Sequence, residues 1–271
     1  AIGTAAPTPE EMEGVPHHMI GVADPAESWS VSRFTEAADR CVQDILSRGK
    51  LPVLVGGTGL YLDALVRGNT FAAGQQGGAV RQELQERLAQ EGAAALLAEL
   101  AAVDPETAAR LHLRDEKRIL RALEVYRETG ETISEHDRKS RETPDRYDAL
   151  YIGLSFRDRQ DLRDRIDRRV DAMVAQGLLD EVRRLLDSGL PRDATALQAI
   201  GFNQFLAVAD GTATEAEAVE EVKLRSRQYA KRQLTWLRRN PDIHWILWEK
   251  EPDFPWALQN ATDFLTAAGV C

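Results

Sequence analysis

The fold class that the sequence predicts is α/β: a parallel sheet flanked by helices and interrupted by a helical insertion. Two observations predict it. Two short apolar runs, Leu51–Val55 and Tyr151–Ser155, each run into a helical pattern, the order expected of buried parallel strands. Between them, residues 80–135 carry helical periodicity throughout, bracketed by glycine-rich residues 67–79 and by the polar, proline-containing stretch 141–145. Apolar residues make up 43% of the 271, enough for a core, so wholesale disorder is excluded.

The elements follow in order. Residues 1–30 carry Pro7, Pro9, Gly14, Pro16, Gly21 and Pro25 and read as loop. A serine-capped helix is expected from Ser30 or Ser32 to Ser47, with Phe34, Ala38, Cys41 and Ile45 on one side and Gly49 ending it. The strand Leu51–Val55 leads through Gly56–Gly57–Thr58–Gly59 into a helix at Leu60–Val66. Residues 67–79 read as a flexible linker. In the insertion, Pro105 is placed to open a helix after Asp104. After the second strand a long helix starts near Asp158, with Leu162, Ile166, Val170 and Met173 as its stripe. Gly177 breaks it, and a further helix runs to Ser188. Helices over Ala199–Ala209 and Glu215–Arg239 and a strand at His244–Trp248 complete the reading. The domain division expected is 1–78 with 144–271 as the α/β core, and 79–143 as the helical insertion.

Composition bounds the function. Lys and Arg number 34 against 44 Asp and Glu, a formal net charge of −10, which argues against a protein that coats nucleic acid non-specifically. Two cysteines, Cys41 and Cys271, exclude a disulfide framework and a cysteine-rich zinc site. No apolar run approaches the roughly 20 residues of a membrane helix, and Ala1–Thr4 does not read as a signal peptide. A cytoplasmic protein without a membrane partner is expected.

Against that acidity, the stretch 223–239 holds Lys223, Arg225, Arg227, Lys231, Arg232, Arg238 and Arg239 and no acid. At roughly 100° per residue, Lys223, Arg227, Lys231 and Arg238 share one sector about 80° wide, and Arg225, Arg232 and Arg239 another about 40° wide. Tyr229 and Trp236 lie beside the second. Two basic stripes with aromatics suit a phosphate backbone and stacked bases better than a merely solvated face. The Gly56–Gly59 loop fits either an anion cradle at a helix start or a tight turn. It is not a Walker A loop. Arg163, Arg165, Arg168 and Arg169 form a second cluster, but Asp161, Asp164, Asp167 and Asp171 are interleaved, so spacing alone favours ion pairs along one helix. His17–His18 is a weak metal signal. Lys117, Arg118 and Arg121 fall on a helix of the insertion, as surface residues or as a second nucleic-acid contact.

Together these stretches resemble the tRNA dimethylallyltransferases (tRNA isopentenyltransferases). The resemblance rests on Ile2–Thr8, Gly14–His18, Asp24–Pro25, Leu54–Tyr61, Lys117–Val125, Arg165–Val170, Gln198–Phe202 and Lys231–Arg238, in family order along nearly the whole chain. It implies a P-loop-NTPase-like core with a swinging helical insertion. It implies transfer of a dimethylallyl group from dimethylallyl diphosphate to the exocyclic nitrogen of the adenosine 3′ of a tRNA anticodon. By position, it implies that Thr58 and Arg81 line the channel that receives the tRNA. It implies tRNA contacts from Lys117, Arg118, Arg121, Gln198, Gly201, Phe202, Asn203, Lys231, Arg232, Gln233, Trp236 and Arg238, shaped by Gly56, Gly57 and Gly59. Arg169 matches the arginine that holds the diphosphate, against the reading from spacing. A cytoplasmic, magnesium-dependent, nucleotide-binding (ATP-binding) monomer is implied as well. The family's Gly-Pro-Thr-Ala-Ser-Gly-Lys-[Ser/Thr] loop and Asp-Ser-x-Gln-Val-Tyr segment, which carry the magnesium–diphosphate cradle and the proposed base, precede the first matching stretch and do not stand in these 271 residues. The rival expectations are a non-catalytic RNA-binding fragment, a transferase acting on free adenine nucleotides and a nucleotide kinase. Leu113–Arg114 replaces the family's usual Pro-Asn, and Phe202 its usual Tyr.

Overall fold

The computed structural model describes residues 2–68, 78–142 and 144–270. In chain order its elements are α1 (Val31–Ser47), α2 (Gly59–Arg67), α3 (Ala79–Val103), α4 (Pro105–Arg110), α5 (Glu116–Thr129), α6 (Ile133–Glu142), β1 (Ile152–Phe156), α7 (Arg159–Ala175), α8 (Leu178–Asp187), a short 3-10 turn (Thr195–Gln198), α9 (Phe202–Ala209), α10 (Glu215–Leu237), β2 (His244–Trp248) and α11 (Phe254–Ala267). Contacts gather these into two compact units, Ala1–Leu62 with Asp148–Cys271, and Asp63–Tyr147. The helical unit thus begins inside α2 rather than at residue 79. Most of the stretch expected as a flexible linker, 69–77, lies outside the described residues.

In the first unit, α1 starts where Ser30 accepts the N–H of Arg33 at 3.2 Å, and it buries Thr35, Ala38 and Val42. It ends at Gly49, in the left-handed region at φ +64°. The expected strand Leu51–Val55 does not form: these residues join no ladder. Val53 and Val55 are 73% and 92% exposed. A buried parallel strand needs paired neighbours, and the parallel sheet among the described residues has two strands, β1 and β2, in the register Ile152↔His244 to Phe156↔Trp248. Phe156, Ile246 and Trp248 pack there with Ala257 of α11. That last helix was not foreseen, although its start is marked by Asp253, whose carboxylate accepts the N–H of Trp256, and by a proline in its first turn. The main core joins α7 to α10: Val170, Met173, Leu178, Val182, Leu197, Phe205 and Val222. The helix expected from Ala199 begins instead at Phe202, because Gly201 takes φ +103° and breaks the path from the 3-10 turn.

Among the described residues the second unit holds the end of α2 and the four helices α3 to α6, with α3 kinked at Gly92 (φ +81°). Leu84, Leu96 and Leu100 of α3 meet Ile119, Leu120 and Leu123 of α5. Arg87 and Arg127 are each held by two carboxylates, Arg87 by Glu91 and Glu99 and Arg127 by Glu83 and Glu99, all at 2.7–2.8 Å. Where the chain enters and leaves, the N–H groups of Arg146 and Tyr147 donate to the carbonyl of Val66. Asp104, 2% exposed, caps α4 through the N–H of Thr107 at 3.0 Å and also accepts the N–H of Ser134 in α6 at 3.1 Å.

Burial alone would raise the Asp104 carboxyl, but the N–H groups of Thr107 and Ser134 outweigh it and hold the group below the ordinary carboxylate value. A folded-state value below the unfolded one adds stability that is present above about pH 4 and is lost as the pH falls through the folded value. Asp104→Ala is therefore expected to cost about 2 kcal/mol and to flatten the acid dependence of unfolding. Urea melts of both proteins between pH 3 and pH 7 check this.

Candidate nucleic-acid interface

The basic helix α10 begins with a capping box, Thr214 with Glu217. Its cations then divide along its length. Lys223 reaches Asp171 of α7 at 2.7 Å, and Arg227 donates to both oxygens of Asp167 at 2.7 and 2.6 Å. Arg225 pairs with Glu221 at 2.6 Å, one turn back. The reading of an uncompensated run is corrected for these three: acids from α7 and from the preceding turn neutralise them. The hydrogen bond it donates to Asp171 also raises the Lys223 ammonium above its ordinary value, fixing it as a cation. Lys231, Arg232, Arg238 and Arg239 differ. All four are exposed, and among the described residues none has a carboxylate at ion-pair distance.

Aromatic rings stand beside the free cations. The guanidinium of Arg232 lies 5.5 Å from the ring centroid of Tyr229, and that of Arg239 lies 5.4 Å from Trp236. Both rings are 37% exposed. The Gly56–Gly59 loop rests on this same half of α10. A Cβ built at Gly57 would collide with the amide of Gln233, and one at Gly59 with the indole of Trp236. These glycines therefore admit the side chains of a neighbouring helix. Between them, Thr58 shares a 3.2 Å hydrogen bond between its hydroxyl and that of Tyr229. Thr58, Tyr229, Arg232, Gln233 and Trp236 form one polar, aromatic and cationic surface, suited to phosphate and to stacked bases.

On α7 the interleaved charges do not pair with one another as spacing suggested. Asp167 and Asp171 turn to α10, and Arg168 reaches Glu251 at 3.2 Å. Arg163, Arg165 and Arg169 have no ion pair among the described residues, and Arg169 is exposed. Gln198 and Asn203 are exposed, and Gly201 is buried with its N–H donated to Gln204. Phe202 is a correction. It is 4% exposed, with its ring against Gly3. It belongs to the core and presents no face to a base. The same region holds the first residues, whose N–H groups (Ile2 and Gly3) donate to the carboxylate of Glu181 at 2.9–3.1 Å. His17 spends Nδ1 on the carbonyl of Val15. Among the described residues no group of three or more His, Cys, Asp or Glu is placed to hold a metal ion.

In the helical unit, Lys117, Arg118 and Arg121 lie on α5, and Arg81 on α3. Lys117 is exposed, and Arg118 makes a loose pair with Asp115 at 3.7 Å. Arg81 and Arg121 both reach Glu124, at 3.6 and 2.8 Å.

A family model described as IPP transferase matches residues 1–240. The chain belongs to the IPP transferase family. It is 46% identical over 245 residues, 90% of this chain and 77% of the other, to a tRNA dimethylallyltransferase of Geobacillus thermodenitrificans. A crystal structure of a full-length tRNA isopentenylpyrophosphate transferase from Bacillus halodurans is 39% identical and superposes with a TM-score of 0.70, covering 98% of this chain and 82% of that one. A eukaryotic dimethylallyltransferase captured acting on tRNA is 28% identical with a TM-score of 0.78, covering 98% and 69%. The mixed helical architecture with a small parallel sheet matches these structures.

Three groups that organise the surface escaped the sequence reading. Asp167 and Asp171 were assigned to arginines of their own helix, and Glu124 stood unnoticed between apolar residues. An acid amid the buried run Ile119–Val125 was the available signal.

Gly59→Ala tests the close approach of the loop. Its new methyl must displace the Trp236 indole, so a loss of about 1–3 kcal/mol is expected, together with weaker RNA binding. Thermal melting and tRNA titration of the variant measure both.

Proposed function

We propose that the chain transfers a dimethylallyl group from dimethylallyl diphosphate to N6 of the adenosine 3′ of a tRNA anticodon. The observation that carries this reading is the uncompensated half of α10, Lys231–Arg239, seated against the Gly–Gly–Thr–Gly loop, in a chain of net charge −10 and of this family. The bond between the allylic carbon and the diphosphate oxygen breaks, and its electron pair leaves with the diphosphate. The nitrogen attacks that carbon, and a base takes the amino proton.

This chain's own residues supply the positioning. Arg169 meets the diphosphate as charge develops on it. Lys231, Arg232, Arg238 and the Thr58 loop hold the anticodon stem-loop, with Gln198 and Asn203 beside them. Lys117, Arg118, Arg121 and Arg81 grip the RNA from the helical unit, which acts as the clamping insertion of a P-loop-like core. When magnesium is bound it neutralises the diphosphate. Among the described residues no group of three or more His, Cys, Asp or Glu is placed to hold it. The enzyme works as a cytoplasmic monomer.

Two variants test the assignments separately. Arg169→Ala is expected to weaken dimethylallyl diphosphate at least tenfold while leaving tRNA affinity unchanged. Arg232→Ala is expected to weaken tRNA and to lower the salt slope of binding by about one. Equal effects of both changes on both substrates overturn the assignments. Transfer of label from dimethylallyl diphosphate to tRNA measures the activity itself.

A further inference from the structure

Tyr229 stands in the second half of α10, where two groups given separate roles above meet. Its hydroxyl shares a hydrogen bond of 3.2 Å with that of Thr58, 171 positions earlier in the sequence. Its ring centroid lies 5.5 Å from the guanidinium of Arg232. Residues 229, 233 and 236 are spaced by four and three, which is one face of a helix. That face carries the 56–59 loop, with Gln233 against Gly57 and Trp236 against Gly59. Arg232 follows Tyr229 by one turn.

The bond made by Thr58 is not the one its position favours. Its carbonyl accepts the N–H groups of Tyr61 at 2.9 Å and Leu62 at 3.2 Å, so Thr58 stands at the N-terminal boundary of α2. A threonine hydroxyl at such a boundary ordinarily accepts a backbone N–H two or three residues ahead, as Thr214 accepts that of Glu217 at the start of α10. The Thr58 hydroxyl reaches across to Tyr229 instead. Of the two hydroxyls the phenol is the more acidic and the natural donor, which leaves the O–H of Thr58 to donate to a ligand.

Neither contact does much for the fold. Thr58 is exposed and Tyr229 is 37% exposed, so water serves either hydroxyl nearly as well. The loop is seated on α10 by the close approach at Gly57 and Gly59 without this bond. Arg232 is exposed and has no carboxylate at ion-pair distance among the described residues, so the tyrosine ring is what restrains its guanidinium. One side chain thus holds a loop hydroxyl and a helix cation at a set separation on an open surface.

We infer that Tyr229 is a positioning residue for RNA: its hydroxyl orients the O–H of Thr58 and its ring face orients the guanidinium of Arg232, so that the two meet one stretch of RNA together. This rests on the RNA-binding reading above. Groups set in place beforehand lose less freedom on binding.

Two double-mutant cycles test the two halves of this role. The 271-residue chain and its variants are titrated with a tRNA anticodon stem-loop at several salt concentrations, with thermal melts alongside. Tyr229→Phe keeps the ring and loses the hydroxyl, and about threefold weaker binding with an unchanged melt is expected. In a Thr58→Val background the same change is expected to add less than twofold, because the group it orients is gone. Thr58→Ser, which keeps the hydroxyl, is expected to bind within about twofold of the unmodified chain. Tyr229→Leu loses both contacts, and about tenfold weaker binding is expected, falling to about threefold in an Arg232→Ala background. Binding by Tyr229→Phe equal to that of the unmodified chain overturns the inference. So do effects of Tyr229→Phe and Thr58→Val that simply multiply, which make the phenol a direct contact. Failure of both Tyr229→Phe and Thr58→Val to fold overturns it too, by making the bond structural. If the unmodified chain shows no salt-dependent tRNA binding, the RNA-binding reading itself fails and the inference falls with it.

Discussion

Asp167 and Asp171 stand one turn apart on α7, and each takes a cation of α10. The consequences run through the first unit. The pairs fix the rotation of α10 about its own axis, which places Val222 in the core beside Val170. That rotation also fixes where the later residues of the helix point. Gln233 and Trp236 arrive under the glycines of the 56–59 loop, and Tyr229 under Thr58. A helix of 23 residues is thus locked at its middle by charge and towards its end by close packing on a glycine-rich loop. Lys231 and Arg232, between those fastenings, and Arg238 and Arg239, just past them, are the cations left to the solvent.

Two uses of arginine can be told apart by counting carboxylates. Arg87 and Arg127 are saturated by acids and tie α3 to α5. Lys231, Arg232, Arg238 and Arg239 have no such partners among the described residues, and Arg81 and Arg121 meet at one carboxylate, that of Glu124. Net acidity and a basic binding surface are therefore compatible, because the excess acid lies where it neutralises structural cations or faces water. The potential near a surface depends on this local balance, not on the sum over the chain.

Much of the helical framework was legible because its signals are local. Ser30, Asp104, Asp158 and Thr214 announce helix starts through side chains that reach only two or three residues ahead, and Gly49 and Gly177 mark a stop and a break through their own backbone freedom. What was misread depends on distant partners. Leu51–Val55 has the composition of a buried strand, but a strand exists only with a neighbour to pair with. The aspartates of α7 have ideal spacing for their own helix, yet residues 52 and 60 positions further on claim two of them more strongly. Phe202 stands in a stretch recognised by resemblance, and only its burial on Gly3 reveals that its work is inside. The glycines at 57 and 59 were legible as special positions, while the reason for them, a helix arriving from the far end of the sequence, was not.

The attachment of Ile2 and Gly3 to Glu181 spans 179 positions. Closing so long a loop is costly in chain entropy, and contacts of this kind form late. The helical unit has the opposite character: residues 63–147 are contiguous, and their contacts are complete before residue 148 is needed. During synthesis on a ribosome the helical unit can reach its final form while the first unit still lacks α7 to α10, which hold its main core. The first unit must then join segments that the insertion separates in sequence. The order of assembly is thus written into the connectivity: the inserted body comes first, and the body that it interrupts in sequence closes last.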